Sequence, residues 1–182
     1  MNGMIRMTFE ELKTPEELMQ YMNENIEYGW VDKDGNVHVK ELKGLRENYR
    51  ISSIDEMIEK GVGTCIEQAN MIKTFFDRIG LESKIFCHRS YETEDNFDRE
   101  VHMHCLVFYK DGDKWYHFEH SNQGERGIHE YNSYEEGLKK RIDRFKAKGD
   151  IRDLTEIDHI PIGLSFKEFN QFVNQCDNKK TL

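Results

Sequence analysis

At 182 residues and a net charge of −9, the chain is long enough to bury one hydrophobic core and too acidic to suit nucleic acid or an anionic membrane surface as a partner. Charged residues reach 34%, yet 11 Phe, 8 Tyr and 2 Trp argue against disorder, and no apolar run approaches the roughly 20 residues of a membrane span. No signal-peptide core follows Met1, and the four cysteines at 65, 87, 105 and 176 have no framework spacing, so reduced thiols in a cytoplasmic protein are expected.

In chain order, Thr14-Pro15-Glu16-Glu17 combines an N-cap, a proline at the first helical position and a capping glutamate, and Leu18, Met19, Met22 and Ile26 continue it as an amphipathic packing helix. Tyr28–Val31 and Val37–Val39 flank Asp34-Gly35, which predicts a hairpin. Asp32 and Asp34 lack the remaining spacing of a calcium loop, so turn chemistry is the reading preferred there. Ser53 with Glu56 caps a short helix leading to Gly61-Val62-Gly63-Thr64-Cys65-Ile66-Glu67. Thr64 and Glu67 form a capping box that makes Cys65 the first residue of a helix. Its sulfur then lies beside unpaired N–H groups and the positive end of the helix dipole, which favour a thiolate. The preceding glycines are expected to let the chain turn and to leave room for a substrate. Ala69, Ile72, Phe76 and Ile79 continue the same stripe up to Gly80. A buried structural cysteine is the competing reading.

Leu81 to Cys87 predicts a strand, and residues 91–100 an acidic loop that is either solvated or a cleft wall favouring basic substrates. His102–Tyr109 and Lys114–Glu119 are aromatic and β-branched enough for strands, with Asp111-Gly112 between them as a hairpin signal. A two-residue Asp-Gly turn sets Lys110 opposite Asp113 and His104 opposite Glu119, within reach of a carboxylate–imidazole bond. Leu106, Phe108 and Trp115 share that face and are expected to pack on the Cys65 helix. A cysteine, a histidine held by a carboxylate and a helix N-terminus describe an activated acyl-transfer nucleophile.

The glycine-rich approach to Cys65, the helix running to Ile79-Gly80-Leu81-Glu82-Ser83-Lys84-Ile85, His104 on the next strand and a tryptophan strand from Trp115 to Glu119 resemble the transglutaminase-like superfamily over about residues 55–121. The resemblance implies an α+β fold with a papain-like core, an antiparallel sheet packed against the cysteine helix, and a Cys-His-Asp triad falling here on Cys65, His104 and Glu119. It implies transamidation, deamidation, proteolysis or glycan-amide hydrolysis, and the family includes members without catalysis. Glu119 stands where Asp is usual, and the common aromatic after the histidine is missing.

Beyond the core, Ser133 with Glu136 opens a helix carrying Leu138, Ile142 and Phe145 and ending at Gly149. Its Lys139, Lys140, Arg141, Arg144, Lys146 and Lys148 make a basic segment, either a solvated face or an anchor for an acidic partner. Ser165 with Glu168 opens a last helix bearing Phe166, Phe169, Phe172 and Val173. With two prolines and no repeat or linker, a single domain over 1–182 is expected, its core at about 53–121 and helical additions at both ends.

Zinc is the rival chemistry, because His102, His104, Cys105, His117, His120 and Cys87-His88 supply ligands. Alternation, however, turns Cys105 away from His102 and His104, and no CxxC or HxxxH spacing is present. No metal or cofactor is therefore expected. The function read from the sequence is a Cys65-His104-Glu119 enzyme acting on amide bonds of a protein or peptide. The alternative is a binding module that keeps the fold without catalysis.

Overall fold

The computed structural model describes residues 7–91, 101–144 and 151–181 as a mixed α and β structure. Helix α1 (Pro15–Asn25) starts at its capping box, where the Glu17 N–H donates to Thr14 Oγ1 at 3.2 Å, and buries Leu18 and Met22. Strands β1 (Glu27–Val31) and β2 (Val37–Val39) form the first hairpin, with Asp32 organising the turn: its Oδ1 accepts from the Asp34 and Asn36 N–H groups, and its Oδ2 meets the Asn36 amide and His38. All of that capacity goes to the hairpin itself. A short helix α2 (Leu45–Asn48) and helix α3 (Ile54–Lys60) lead to strand β3 (Val62–Gly63), which runs parallel to β1 and sets Tyr28 beside Gly63.

Helix α4 (Cys65–Ile79) then packs on a six-stranded antiparallel sheet in the order β7–β6–β5–β4–β8–β9. Its strands are β4 (Ser83–Tyr91), β5 (His102–Asp111), β6 (Lys114–Glu119), β7 (Gly127–Tyr131), β8 (Ile151–Ile157) and β9 (Lys179–Thr181). Helices α5 (Tyr134–Asp143) and α6 (Phe166–Gln175) complete the structure, each opened by the serine cap its sequence predicts. Among the described residues, no helix is long and apolar enough to cross a membrane.

The sheet separates two apolar clusters. On its inner face Ile85, Cys87, Cys105, Val107, Tyr109 and Phe118 join α1, α4 and α6 through Leu18, Met22, Ala69, Phe76, Phe169 and Val173. On its outer face Phe86, Leu106, Phe108, Trp115 and Leu154 join Leu138 and Ile142 of α5. Leu106, Phe108 and Trp115 therefore pack on α5, on the side of the sheet opposite the Cys65 helix. Alternation fixes which residues share a face, but which helix covers that face is decided by the whole chain.

The second hairpin is also displaced from expectation. Its turn is Gly112-Asp113, with Asp111 opposite Lys114 and Val107 opposite Phe118. Gly112 has φ +62° and takes the first central position, the place a type II′ turn gives to glycine, rather than the second. The shift moves the pairing by two residues, which preserves the face of every side chain.

The end of the chain was expected to be helical, yet it adds β8 beside β4 and β9 beyond it. The strand signal of β8 is hidden because its inner side carries Asp153 and Thr155, both fully enclosed, while Leu154 is buried on the outer side. Asp153 is satisfied there by a bidentate pair with the buried Arg89, at 2.8 and 2.9 Å. The acidic stretch 92–100, and Phe145, Lys146, Lys148 and Gly149, lie outside the described residues.

Candidate active site

The first turn of α4 is built around a buried carboxylate. Glu67 Oε2 accepts from the Thr64 N–H at 2.9 Å and the Thr64 hydroxyl at 2.6 Å. Its Oε1 accepts from the Tyr49 hydroxyl at 2.8 Å and the Ser52 N–H at 3.2 Å. This capping box thus reaches beyond its helix and pins the segment before α3 to the first turn. Of the two glycines ahead of it, Gly61 has φ +70° and caps α3 in the left-handed region. Gly63 serves close packing: a Cβ there would press on Met57 and Glu67, so its lack of a side chain makes room for protein and not for substrate.

Cys65 occupies the first helical position, where the N–H has no intrahelical partner. It is 6% exposed, and its Sγ lies 3.8 Å from the Met103 carbonyl. The thiol is pushed well towards the thiolate, first by a hydrogen bond with the Cys105 thiol and then by the hydrogen bond and positive charge of His104, against the cost of burial.

His104 Nε2 lies 2.8 Å from Glu119 Oε2, which leaves Nδ1 as the ring atom for exchange with Cys65. Glu119 is held on its other oxygen by the Ser121 hydroxyl at 3.0 Å and the Asn122 N–H at 2.9 Å. Burial raises the carboxyl, but the His104 hydrogen bond and charge, the His117 charge and the Asn122 N–H outweigh it and bring Glu119 down to about 2. Burial likewise disfavours the charged imidazole, but hydrogen bonds and negative charge from Cys65 and Glu119 lift His104 to about 10. The ground state these interactions favour is a thiolate–imidazolium pair braced by a carboxylate. By the observed register Glu119 falls opposite Leu106, so it reaches His104 on the diagonal, a distance long side chains span. The three residues converge where the β5–β6 ladder ends, its last pair being Val107 with Phe118.

Two clefts open here. One of about 50 Å³ is lined by Cys65, Tyr49 and Thr64, and one of about 300 Å³ by His88, His102, His104, Ser121 and Asn122. Tyr28 and Met103 form the wall common to both. Of the two aromatic residues on β1, Tyr28 lines both clefts and Trp30 neither. Trp30 is committed elsewhere, donating to the Glu41 carbonyl at 2.6 Å and stacking on His38. Tyr28 faces Cys65, whose negative charge, followed by burial, keeps its hydroxyl protonated.

Compared with known proteins, the chain matches no family model and no curated protein.

Three contacts escaped the sequence reading. Cys105 acts on the Cys65 thiol and favours its thiolate, although alternation had seemed only to turn it away from the histidines. His120 Nδ1 lies 2.8 Å from Gln68 Oε1, while Gln68 Nε2 donates to the Gly63 carbonyl at 2.8 Å, so Gln68 ties α4 to the segment after β6. Nothing local in the sequence couples these positions. Among the described residues, no group of three or more His, Cys, Asp or Glu side chains is arranged to hold a metal ion. Cys87 and Cys105 lie on the inner face, and His117 stacks between Phe108 and His129 on the outer one.

Proposed function

We propose that this protein is a cysteine-nucleophile amidase or transamidase of transglutaminase-like, papain-like type, acting on protein or peptide amides in a reducing compartment. The observation that carries the reading is the His104 imidazole, braced by Glu119 at 2.8 Å and raised in pKa to about 10 in part by the Cys65 thiol at the start of α4. Cys65 attacks the amide carbon, and the His104 imidazolium protonates the departing amine. The Cys65 N–H and the Tyr28 hydroxyl supply donors near the oxygen that gains charge. Water or an amine then resolves the acyl-enzyme, giving hydrolysis or transamidation respectively.

The small volume beside Cys65 favours a second reading, a binding module whose thiol is closed to large substrates. A cleft of about 50 Å³ is far below the roughly 300–1,000 Å³ of typical ligand sites, so a peptide reaches the sulfur only past Tyr28 and Met103. Incubation with fluorogenic peptide amides, with and without a primary-amine acceptor, separates the two readings. Turnover lost in Cys65→Ala supports the enzyme. Absence of turnover, together with Cys65 alkylation following an ordinary thiol titration near about 8.5, supports the module.

A further inference from the structure

Two buried thiols lie behind the candidate nucleophile, and the proposed acyl transfer uses neither as a reactant. Cys87 and Cys105 face each other directly across β4 and β5, with sulfur atoms 3.5 Å apart and both side chains enclosed. The Lys110 N–H donates to the Glu82 carbonyl at 2.8 Å, and these residues are opposed in the same register. Hydrogen-bonded pairs alternate from there, so residues 87 and 105 form a non-hydrogen-bonded pair. At such pairs the Cα atoms approach to about 4.5 Å, inside the range a disulfide spans. Cys65 Sγ lies 3.8 Å from the carbonyl of Met103, two residues before Cys105 on β5, and all three cysteines belong to the same inner apolar cluster, so the thiols lead from the small cleft into the core. That cleft has room for a molecule little larger than water.

We propose that Cys65, Cys105 and Cys87 form a thiol relay that reduces a small hydroperoxide at Cys65 and stores the oxidation as a buried Cys87–Cys105 disulfide. The Cys65 sulfur attacks the outer peroxide oxygen, forming an S–O bond as the O–O bond breaks. The leaving oxygen takes a proton and departs as water or an alcohol, and Cys65 carries a sulfenic acid. The Cys105 sulfur displaces that hydroxyl, which leaves as water with the Cys105 proton, and a Cys65–Cys105 disulfide forms. The Cys87 sulfur then attacks the Cys105 sulfur, and its proton returns to Cys65 as that sulfur is released. One peroxide gains two electrons, two thiols lose them, and Cys65 ends as it began. The relay shares with the amidase reading only the reactive thiol at Cys65.

The full-length protein, reduced and then treated with one equivalent of hydrogen peroxide, is to be alkylated, digested without reductant and mapped by mass spectrometry. The expected result is loss of two hydrogens, a peptide pair linked through Cys87 and Cys105, and Cys65 still open to iodoacetamide. In Cys87→Ala the oxidation stops at a Cys65–Cys105 disulfide, and Cys65 alkylation is lost. In Cys105→Ala the sulfenic acid persists and is captured by dimedone; should that variant fold poorly, Cys87→Ala alone decides. Sulfinic or sulfonic acid at Cys65 with Cys87 and Cys105 still alkylatable, or no oxidation at all, overturns the relay. A Cys65 that alkylates as a thiolate without forming disulfide sinks the relay and leaves the amidase reading standing. Disulfide formation without amide turnover has the reverse meaning.

Discussion

On the inner face of the large sheet, Ile85, Val107, Phe118 and the thiols of Cys87 and Cys105 meet α1, α4 and α6 in one extended apolar core. On the outer face, Phe108 and Trp115 share a smaller cluster beneath α5 with the buried imidazole of His117, and Glu119 and His104 continue the same side towards the sheet end. The nucleophile therefore belongs to an inner element, while its imidazole and carboxylate follow the outer face. They meet only where the β5–β6 ladder stops. Thiolate formation at Cys65 thus draws on both sides, on the Cys105 thiol from within and on the His104 charge from without.

Removing each contribution in turn is the most severe test of that division. Cys65→Ala is expected to lower amide turnover by on the order of 10³-fold or more with the fold retained, as measured by initial rates alongside circular dichroism. Alkylation of Cys65 against pH then apportions the two sides. Both Cys105→Ala and His104→Ala should move the midpoint up towards an ordinary thiol, and only His104→Ala should also abolish turnover. An unmoved midpoint in Cys105→Ala would show that the inner face contributes packing alone.

Glu119 acts through His104 and is a positioning residue. Glu119→Gln keeps the length of the side chain and an acceptor for Ser121 and Asn122 but removes the charge that helps lift His104 to about 10. Turnover should fall by about 10²-fold, and the alkaline limb of the pH–rate profile, set by loss of the His104 proton, should move to lower pH. A purely structural role would lower the rate without moving that limb.

These expectations rest on parts of the molecule that were legible to different degrees. Helix α4 and its cap were readable because every signal lies within a few residues: Thr64, Glu67, the apolar stripe and Gly80, which has φ +77°. The hairpin was readable as a hairpin, but its register depended on whether the glycine takes the first or second turn position. The resulting shift of two residues kept His104 and Glu119 on one face and changed an opposed pair into a diagonal one. Non-local facts were not readable. Strand β8 conceals its alternation behind Asp153, whose partner Arg89 lies 64 residues away. Which helix covers Leu106 and Phe108 is likewise settled only when α5 docks.

The outer face should also carry much of the acid sensitivity. His117 is fully enclosed, its ring nitrogens have no hydrogen-bond partner among the described residues, and burial brings it down to about 3. Above about pH 6.5 the ring is neutral in both folded and unfolded chains. Below that the unfolded chain takes up a proton that the folded one refuses until about pH 3, so stability falls across this window as pH drops. The contribution amounts to about 2 kcal/mol between pH 7 and pH 5. In His117→Phe, which can still stack on Phe108, urea denaturation at the two pH values should show that part of the slope removed. An unchanged slope would place the sensitivity in other groups, His120 first, which burial and the Arg126 charge lower to about 4.

The smallest effect tests how closely α5 must approach the outer face. Gly137 is buried in the middle of α5, where an added Cβ would collide with the rings of Phe108 and Tyr131. In an exposed helix, Gly→Ala is worth roughly 1 kcal/mol of stabilisation, whereas overpacking a tight contact costs about 1–3 kcal/mol. The two oppose each other, and because Phe108 is wedged between Phe86 and His117 it has little room to give. Gly137→Ala should therefore destabilise by about 1 kcal/mol in urea denaturation, with Cys65 alkylation unchanged because the nucleophile packs on the other side of the sheet. A stabilised variant would mean that α5 can lift away from the sheet. A shift in Cys65 alkylation would mean that the two faces are mechanically coupled through β5 and do not behave as independent cores.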